Sequence, residues 1–197
     1  MVAMFDLAEY SSVVRSILEA VDEGNRLMPL APSAAVASPG LSLLRQTEAD
    51  DLFDGDKPAS DDFARCARSA LFLYFSALDE SHKISQNIPS DMGSYLHAIM
   101  HRQEPDYSNS KYWFRRVGRH ELFPTLREEC TRLRYRSELI EQRLSSRPDW
   151  DPNWFIDQCE HAVNGNGPQD VVEDLESIQR LEWRLVFDYS YRRALSG

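Results

Sequence analysis

The chain has 197 residues, 42% of them hydrophobic and 27% charged, with a formal net charge of −10. That length supports one globular domain with a real core, and the negative charge argues against nucleic acid or an anionic membrane surface as a partner. Cys66, Cys130 and Cys159 are far apart and odd in number, which excludes a disulfide framework and points to a reducing, cytoplasmic setting.

The chain opens with MVAMFDLAEY, which has no basic region ahead of an apolar run. No secretory signal is expected, and no apolar stretch is long enough to span a bilayer. Residues 5–23 place Tyr10, Val13, Val14, Ile17, Leu18 and Val21 at helical spacing, with Gly24 as a stop. Residues 28–40 hold three prolines and no charge. They read as a loop, either a loosely ordered connector or an apolar flap. A short helix and an acidic turn are expected over 41–56.

Ser60 is a good N-cap, with Asp61 and Asp62 in the first turn behind it. The helix it starts is expected to run to about Gln86. Its segment Ala70-Leu-Phe-Leu-Tyr-Phe75 is apolar on nearly every face, so it reads as the central helix. Its far end carries Asp79, Glu80 and His82, ionisable groups that need partners or a ligand. A helix from Asp91 to Pro105 follows. Beyond it, Ser108 caps a short helix over 109–117, and Pro124 starts a long one to about Ser146. Helices near 153–163 and 168–194 finish the chain. No strand alternation is present. The expected fold is all-α, a single domain over 1–197 built as a bundle of six to eight helices.

The feature that points to chemistry is Tyr95-Leu-His97-Ala-Ile-Met-His101-Arg-Gln-Glu104. Residues at i, i+4 and i+7 lie along one helical stripe, so His97, His101 and Glu104 face the same way. Two imidazoles one turn apart can grip one metal ion, and a carboxylate on the next turn can bind it or move protons for it. If the upstream helix packs alongside, His82 can supply a third nitrogen. Glu80 and His82 are two apart and cannot share a helical face, whereas Asp79 and His82 can. Glu104 and Glu80 are the candidate catalytic carboxylates, and His82, His97 and His101 the candidate metal ligands. Zinc suits this donor set; copper centres in helix bundles also use His-x3-His pairs, and the Glu-x2-His spacing of di-iron bundles is absent here.

The competing reading is a metal-free interaction or structural protein, because paired histidines on helices are commonly surface groups or hydrogen-bonded core residues. Lys111-Tyr-Trp-Phe-Arg-Arg-Val-Gly-Arg119 interleaves basic and aromatic residues, a pattern that stacks RNA bases in basic proteins. In this acidic chain it reads instead as a pocket wall, with Tyr74, Tyr112, Trp113 and Phe114 as the candidate lining of a small-molecule pocket. Arg132-Leu-Arg-Tyr-Arg136 reads as a solvated helical face, and Glu182-Trp-Arg-Leu-Val-Phe-Asp-Tyr189 as core. No Gly-rich phosphate loop and no Gly-x-Ser-x-Gly elbow occurs.

The block Ser94-Tyr-Leu-His-Ala-Ile-Met-His-Arg-Gln-Glu-Pro-Asp-Tyr-Ser-Asn-Ser-Lys-Tyr-Trp-Phe-Arg-Arg-Val-Gly118 resembles a family of small bacterial and fungal helical proteins. Leu78-Asp-Glu-Ser-His-Lys-Ile-Ser-Gln86 and the 182–189 segment fit the same family, so the resemblance spans about 60 to 194. The helical His-x3-His and the aromatic interior also look like the zinc-dependent, haemocyanin-like cyclopenases of fungal viridicatin-type quinolone pathways. That resemblance implies a zinc lyase that contracts a benzodiazepinedione ring and expels methyl isocyanate. The implied partner is a small aromatic, amide-containing metabolite, with a homodimer left open.

Overall fold

The computed structural model describes residues 5–196. Among the described residues there is helix and no strand. The ten α-helices are α1 (Ser12–Glu19), α2 (Pro39–Gln46), α3 (Asp61–Tyr74), α4 (Leu78–Ser85), α5 (Asp91–Gln103), α6 (Tyr107–Val117), α7 (Leu122–Cys130), α8 (Glu138–Ser145), α9 (Pro152–His161) and α10 (Gln169–Ser196). The all-α bundle is as expected. The count exceeds six to eight because two expected long helices are each broken, and both breaks are held by distant parts of the chain.

The first break separates α3 from α4. Ser76 takes a left-handed conformation at φ 56°. Its N–H bonds the Leu73 carbonyl at 2.9 Å, and the Ala77 N–H reaches back to Phe72 O, also at 2.9 Å. That is a helix-ending motif in which serine stands where glycine is usual. The remaining carbonyls are taken by distant chain: Arg26 donates to Tyr74 O through Nε at 3.1 Å, and Val36 N–H donates to Phe75 O at 2.8 Å.

The second break replaces the middle of the expected 124–146 helix. α7 starts at Leu122 rather than Pro124 and ends at Cys130. The buried Asp174 carboxylate on α10 then accepts the N–H groups of Arg136 and Ser137 at 3.0 and 2.8 Å. Those amides are therefore unavailable to a continuing helix, and Arg132–Arg136 lies in a connection rather than on a helical face. A third expected helix is broken as well: in place of 5–23 there is a short 3-10 turn, then α1 capped by Ser11.

The 28–40 segment is not loose. Met28 and Leu30 are buried, and Gln179 donates to the carbonyls of Met28 and Pro29 at 2.9 and 3.2 Å. It is a strap tied to α10.

α5, rather than the 60–86 helix alone, occupies the centre. Every residue from Met92 to Gln103 is buried. Ser90 caps α5 by accepting the Gly93 N–H at 3.1 Å. A Cβ at Gly93 would sit 2.3 Å from the Ile88 carbonyl, so only glycine lets the preceding loop close against the first turn. α4 and α6 flank α5, each antiparallel to it. The pairs Ser85–His97 and His82–His101 fix the first alignment, and Ser110–Ala98 and Phe114–Tyr95 the second. On its other side long side chains of α5 reach α10. There Tyr95 OH donates to Glu182, and the Arg102 guanidinium donates to both Gln179 and Glu182. No described helix is long and apolar enough to cross a membrane.

Candidate metal centre

The one-turn spacing on α5 brings the two imidazoles together. His97 Nε2 and His101 Nε2 are 3.0 Å apart. Two nitrogens on one tetrahedral zinc ion, each about 2.0–2.1 Å from it, stand about 3.3 Å apart. The observed separation needs only a small rotation of either ring. α4 supplies the third donor: a ring nitrogen of His82 completes a group whose ligating atoms all lie within 4.8 Å of one another. The other two histidines are elsewhere. His120 packs among Tyr95, Phe123 and Tyr189, and His161 is exposed near the end of α9.

The far sides of both α5 rings are held. Ser85 Oγ lies 3.2 Å from His97 Nδ1, and Glu104 Oε2 lies 3.2 Å from His101 Nδ1, with Asp106 Oδ2 at 3.9 Å. A carboxylate only accepts, so the Glu104 contact fixes the proton on His101 Nδ1 and leaves a lone pair on Nε2. A carboxylate on the outer nitrogen of a histidine ligand orients the ring and raises its basicity. Glu104 therefore addresses His101 from outside, and the ligand role expected of it at i+7 becomes a supporting one.

Electrostatics keep these rings neutral, as ligation requires. Burial above all, then the neighbouring imidazoles of His101 and His82, hold His97 down at about 4. His101 is also lowered, again by burial, although Glu104 and Asp106 oppose that shift.

α6 forms the roof. Its N-cap is Asp106, which accepts the Asn109 N–H at 3.2 Å, in place of the expected Ser108. From that start Asn109 and Trp113, one turn apart, share the face over the histidines. The Trp113 ring centroid is 4.3 Å from that of His97, and the Asn109 amide nitrogen is 3.0 Å from His101 Nε2.

The other expected site residues lie elsewhere. Glu80 pairs with Arg45 at 2.5 Å and is turned from the histidines, as its spacing from His82 requires. Asp79 is outside the histidine group. Tyr74 is fully buried against Trp183, its hydroxyl donating to Val21 O at 2.6 Å. Tyr112 is exposed, and Phe114 packs on the Tyr95 ring. Of the four expected pocket residues only Trp113 touches the cluster, and with its ring seated there it is no free base-stacking platform. Ser85 and Asn109 escaped the sequence reading. Ser85 is three residues after His82, a spacing that places it on the same face of α4. Asn109 carries no comparable signal.

Glu104→Gln is expected to weaken metal binding by about 10–100-fold without abolishing it, as loss of an outer partner commonly does. A competition titration against a chelator checks this. Unchanged affinity would reduce the contact to a half-exposed pairing of little worth.

No protein-family model, curated protein or solved structure matches this chain.

Proposed function

We propose that this chain is a zinc-dependent enzyme, a lyase similar to the cyclopenases, acting on a small aromatic, amide-containing metabolite. The observation that carries the reading is the convergence of His82, His97 and His101 from two helices with their donor atoms within 4.8 Å. Three histidine ligands leave one position of a tetrahedral ion for substrate or water. Zinc held there supplies Lewis-acid polarisation of a carbonyl. The chain's own contribution is orientation and exclusion of water. Glu104 and Ser85 hold the two α5 rings, and Trp113 provides a flat apolar wall above His97. Glu104, half exposed and hydrogen-bonded to His101, is the carboxylate placed to hold a proton at the edge of the centre; Glu80 is not. The formal charge of −10 favours a small-molecule partner over nucleic acid or an anionic membrane.

One observation favours a second reading. Ser85, His97, His101 and Glu104 form a continuous run of polar contacts without any ion. A metal-free protein could use that run as a buried polar network. Elemental analysis of the native protein separates the two. The enzyme reading expects about one zinc per chain, and turnover of a 1,4-benzodiazepine-2,5-dione with the released isocyanate trapped by an amine. Native protein without stoichiometric zinc, copper, iron or manganese sinks the metal centre. Stoichiometric zinc without turnover keeps the centre and sinks the lyase.

A further inference from the structure

We infer that the groove between one face of α7 and the turn at 148–152 is a second binding site, for a small aromatic carboxylate. Arg127 receives the carboxylate, and His120 donates to an acceptor at the other end of the ligand. The site goes beyond the metal reading and does not depend on it.

The groove has a volume of about 900 Å³, within the range of small-molecule sites. His120, Phe123, Pro124 and Arg127 line one side of it. Their spacing, i, i+3, i+4 and i+7, follows one helical stripe, so His120 and Arg127 stand about 10 Å apart along α7. Trp150 and Pro152 line it from the later turn.

Both polar groups on the stripe hold an unused donor. His120 Nδ1 accepts the Leu122 N–H at 3.2 Å, so the ring proton sits on Nε2. Burial holds this imidazole below the usual histidine range, which makes it a neutral donor at pH 7. His120 is 6% exposed, and no described residue accepts from Nε2. Unlike the unpartnered Trp150 Nε1, His120 Nε2 is not sealed in the core, so it opens on the groove that its ring lines. Arg127 Nε donates to Arg147 O at 2.8 Å, and Nη2 donates to Leu144 O at 3.1 Å. Two carbonyls thus clamp the guanidinium. Nη1 is left without a partner among the described residues, and no described carboxylate pairs with it. A cation fixed in advance loses little freedom when an anion docks on it.

The acids along the groove do not cancel this charge. Glu128 pairs with Arg132, and Asp151 caps α9 by accepting the Asn153 N–H at 3.0 Å. Asp149 is exposed, and the exposed Arg119 offsets it. Phe123, Pro124 and Trp150 supply the apolar surface that an aromatic ring covers. The site is separate from the histidine cluster. His120 lies against the Tyr95 ring, with centroids 5.2 Å apart, and Tyr95 stands about 200° round α5 from His97.

Isothermal titration calorimetry with 4-acetylbenzoate tests the assignment, because that probe has a carboxylate at one end and a carbonyl acceptor at the other. Wild type is expected to bind one molecule per chain with a Kd below about 1 mM. 4-Acetylbenzamide, which lacks the charge, is expected to bind at least about tenfold more weakly, and benzoate, which lacks the second acceptor, about fivefold more weakly. Arg127→Gln should erase the preference for the acid over the amide. His120→Phe, which keeps a ring against Tyr95, should erase the preference for 4-acetylbenzoate over benzoate. Wild type that binds the probe no better than the amide, or not at all, overturns the proposal. Should Arg127→Gln fail to fold, His120→Phe decides, and a preference that survives in it overturns the assignment. His101→Ala is expected to bind the probe as wild type does; loss of binding there would place the probe at the histidines and overturn the proposal. Native protein that binds the probe as described but holds no metal sinks the metal reading and leaves this site standing.

Discussion

Replacing His101 by alanine is expected to abolish stoichiometric metal binding and any activity while leaving the helical spectrum largely intact. His101 is the hub of the cluster: its ring nitrogens face His97, Glu104 and Asn109. Without it, two histidines on different helices remain. The loss of affinity should exceed the 10–100-fold range of outer-shell changes, because a ligand rather than its support is removed. The fold should survive for a local reason. The groups left behind, Glu104 and Asn109, are half exposed and can turn to water, so no charge is stranded in the core. Elemental analysis and circular dichroism on the same sample check both halves. A variant that unfolds, together with native protein that holds no metal, would make the histidines structural.

The second large effect is on stability. Arg102, adjacent in sequence to His101, points about 100° further round the helix, into the core. Its Nη2 lies 2.5 Å from Glu182 Oε2, and both side chains are at most 1% exposed. Glu182 Oε1 accepts from Tyr95 OH at 3.1 Å, and the guanidinium lies over the Phe155 ring at 4.5 Å. Arg102→Met leaves a buried carboxylate with one phenol for a partner. Breaking a buried pair from one side costs about 3–5 kcal/mol. For a domain of this size that lowers Tm by about 6–20 °C. The double change Arg102→Met with Glu182→Leu should recover much of the loss, since no charge is then stranded. Thermal unfolding of the two single variants and the double variant measures the coupling. Arg102→Met as stable as wild type would show that the pair contributes nothing.

This pair also bears on the centre. Arg102 and Tyr95 both reach α10 from the side of α5 away from the histidines. They fix the rotation of α5, and with it the direction in which His97 and His101 point. One helix thus carries an ion pair on one face and the candidate ligands on another, which is why it is buried all round.

Much of the helical layout was legible because its signals are local. Ser60 and the apolar periodicity mark α3, Gly118 ends α6, Pro152 starts α9, and Pro168 stands just before α10. The breaks at Ser76 and at 131–137 were not legible. Neither carries a glycine or proline, and both depend on groups far along the chain: Arg26 and Val36 at the first, Asp174 at the second. The burial of Arg102 was illegible for a similar reason. Arginine is mostly exposed, and only a carboxylate 80 positions away makes its burial tolerable.

By itself the sequence determined that His97 and His101 share a stripe with Glu104, because a helix of 3.6 residues per turn fixes which of its own side chains are neighbours. It determined equally that Glu80 and His82 cannot face the same way. Only the tertiary structure decided that His82 joins the pair and that Ser85 and Asn109 complete its surroundings. It also decided that Tyr74 lies in another part of the core. These outcomes depend on how α4 and α6 pack on α5, and packing is set by caps, carbonyl partners and a buried ion pair between segments distant in sequence. Helical periodicity constrains neighbours within a few residues, and the centre is built from three helices.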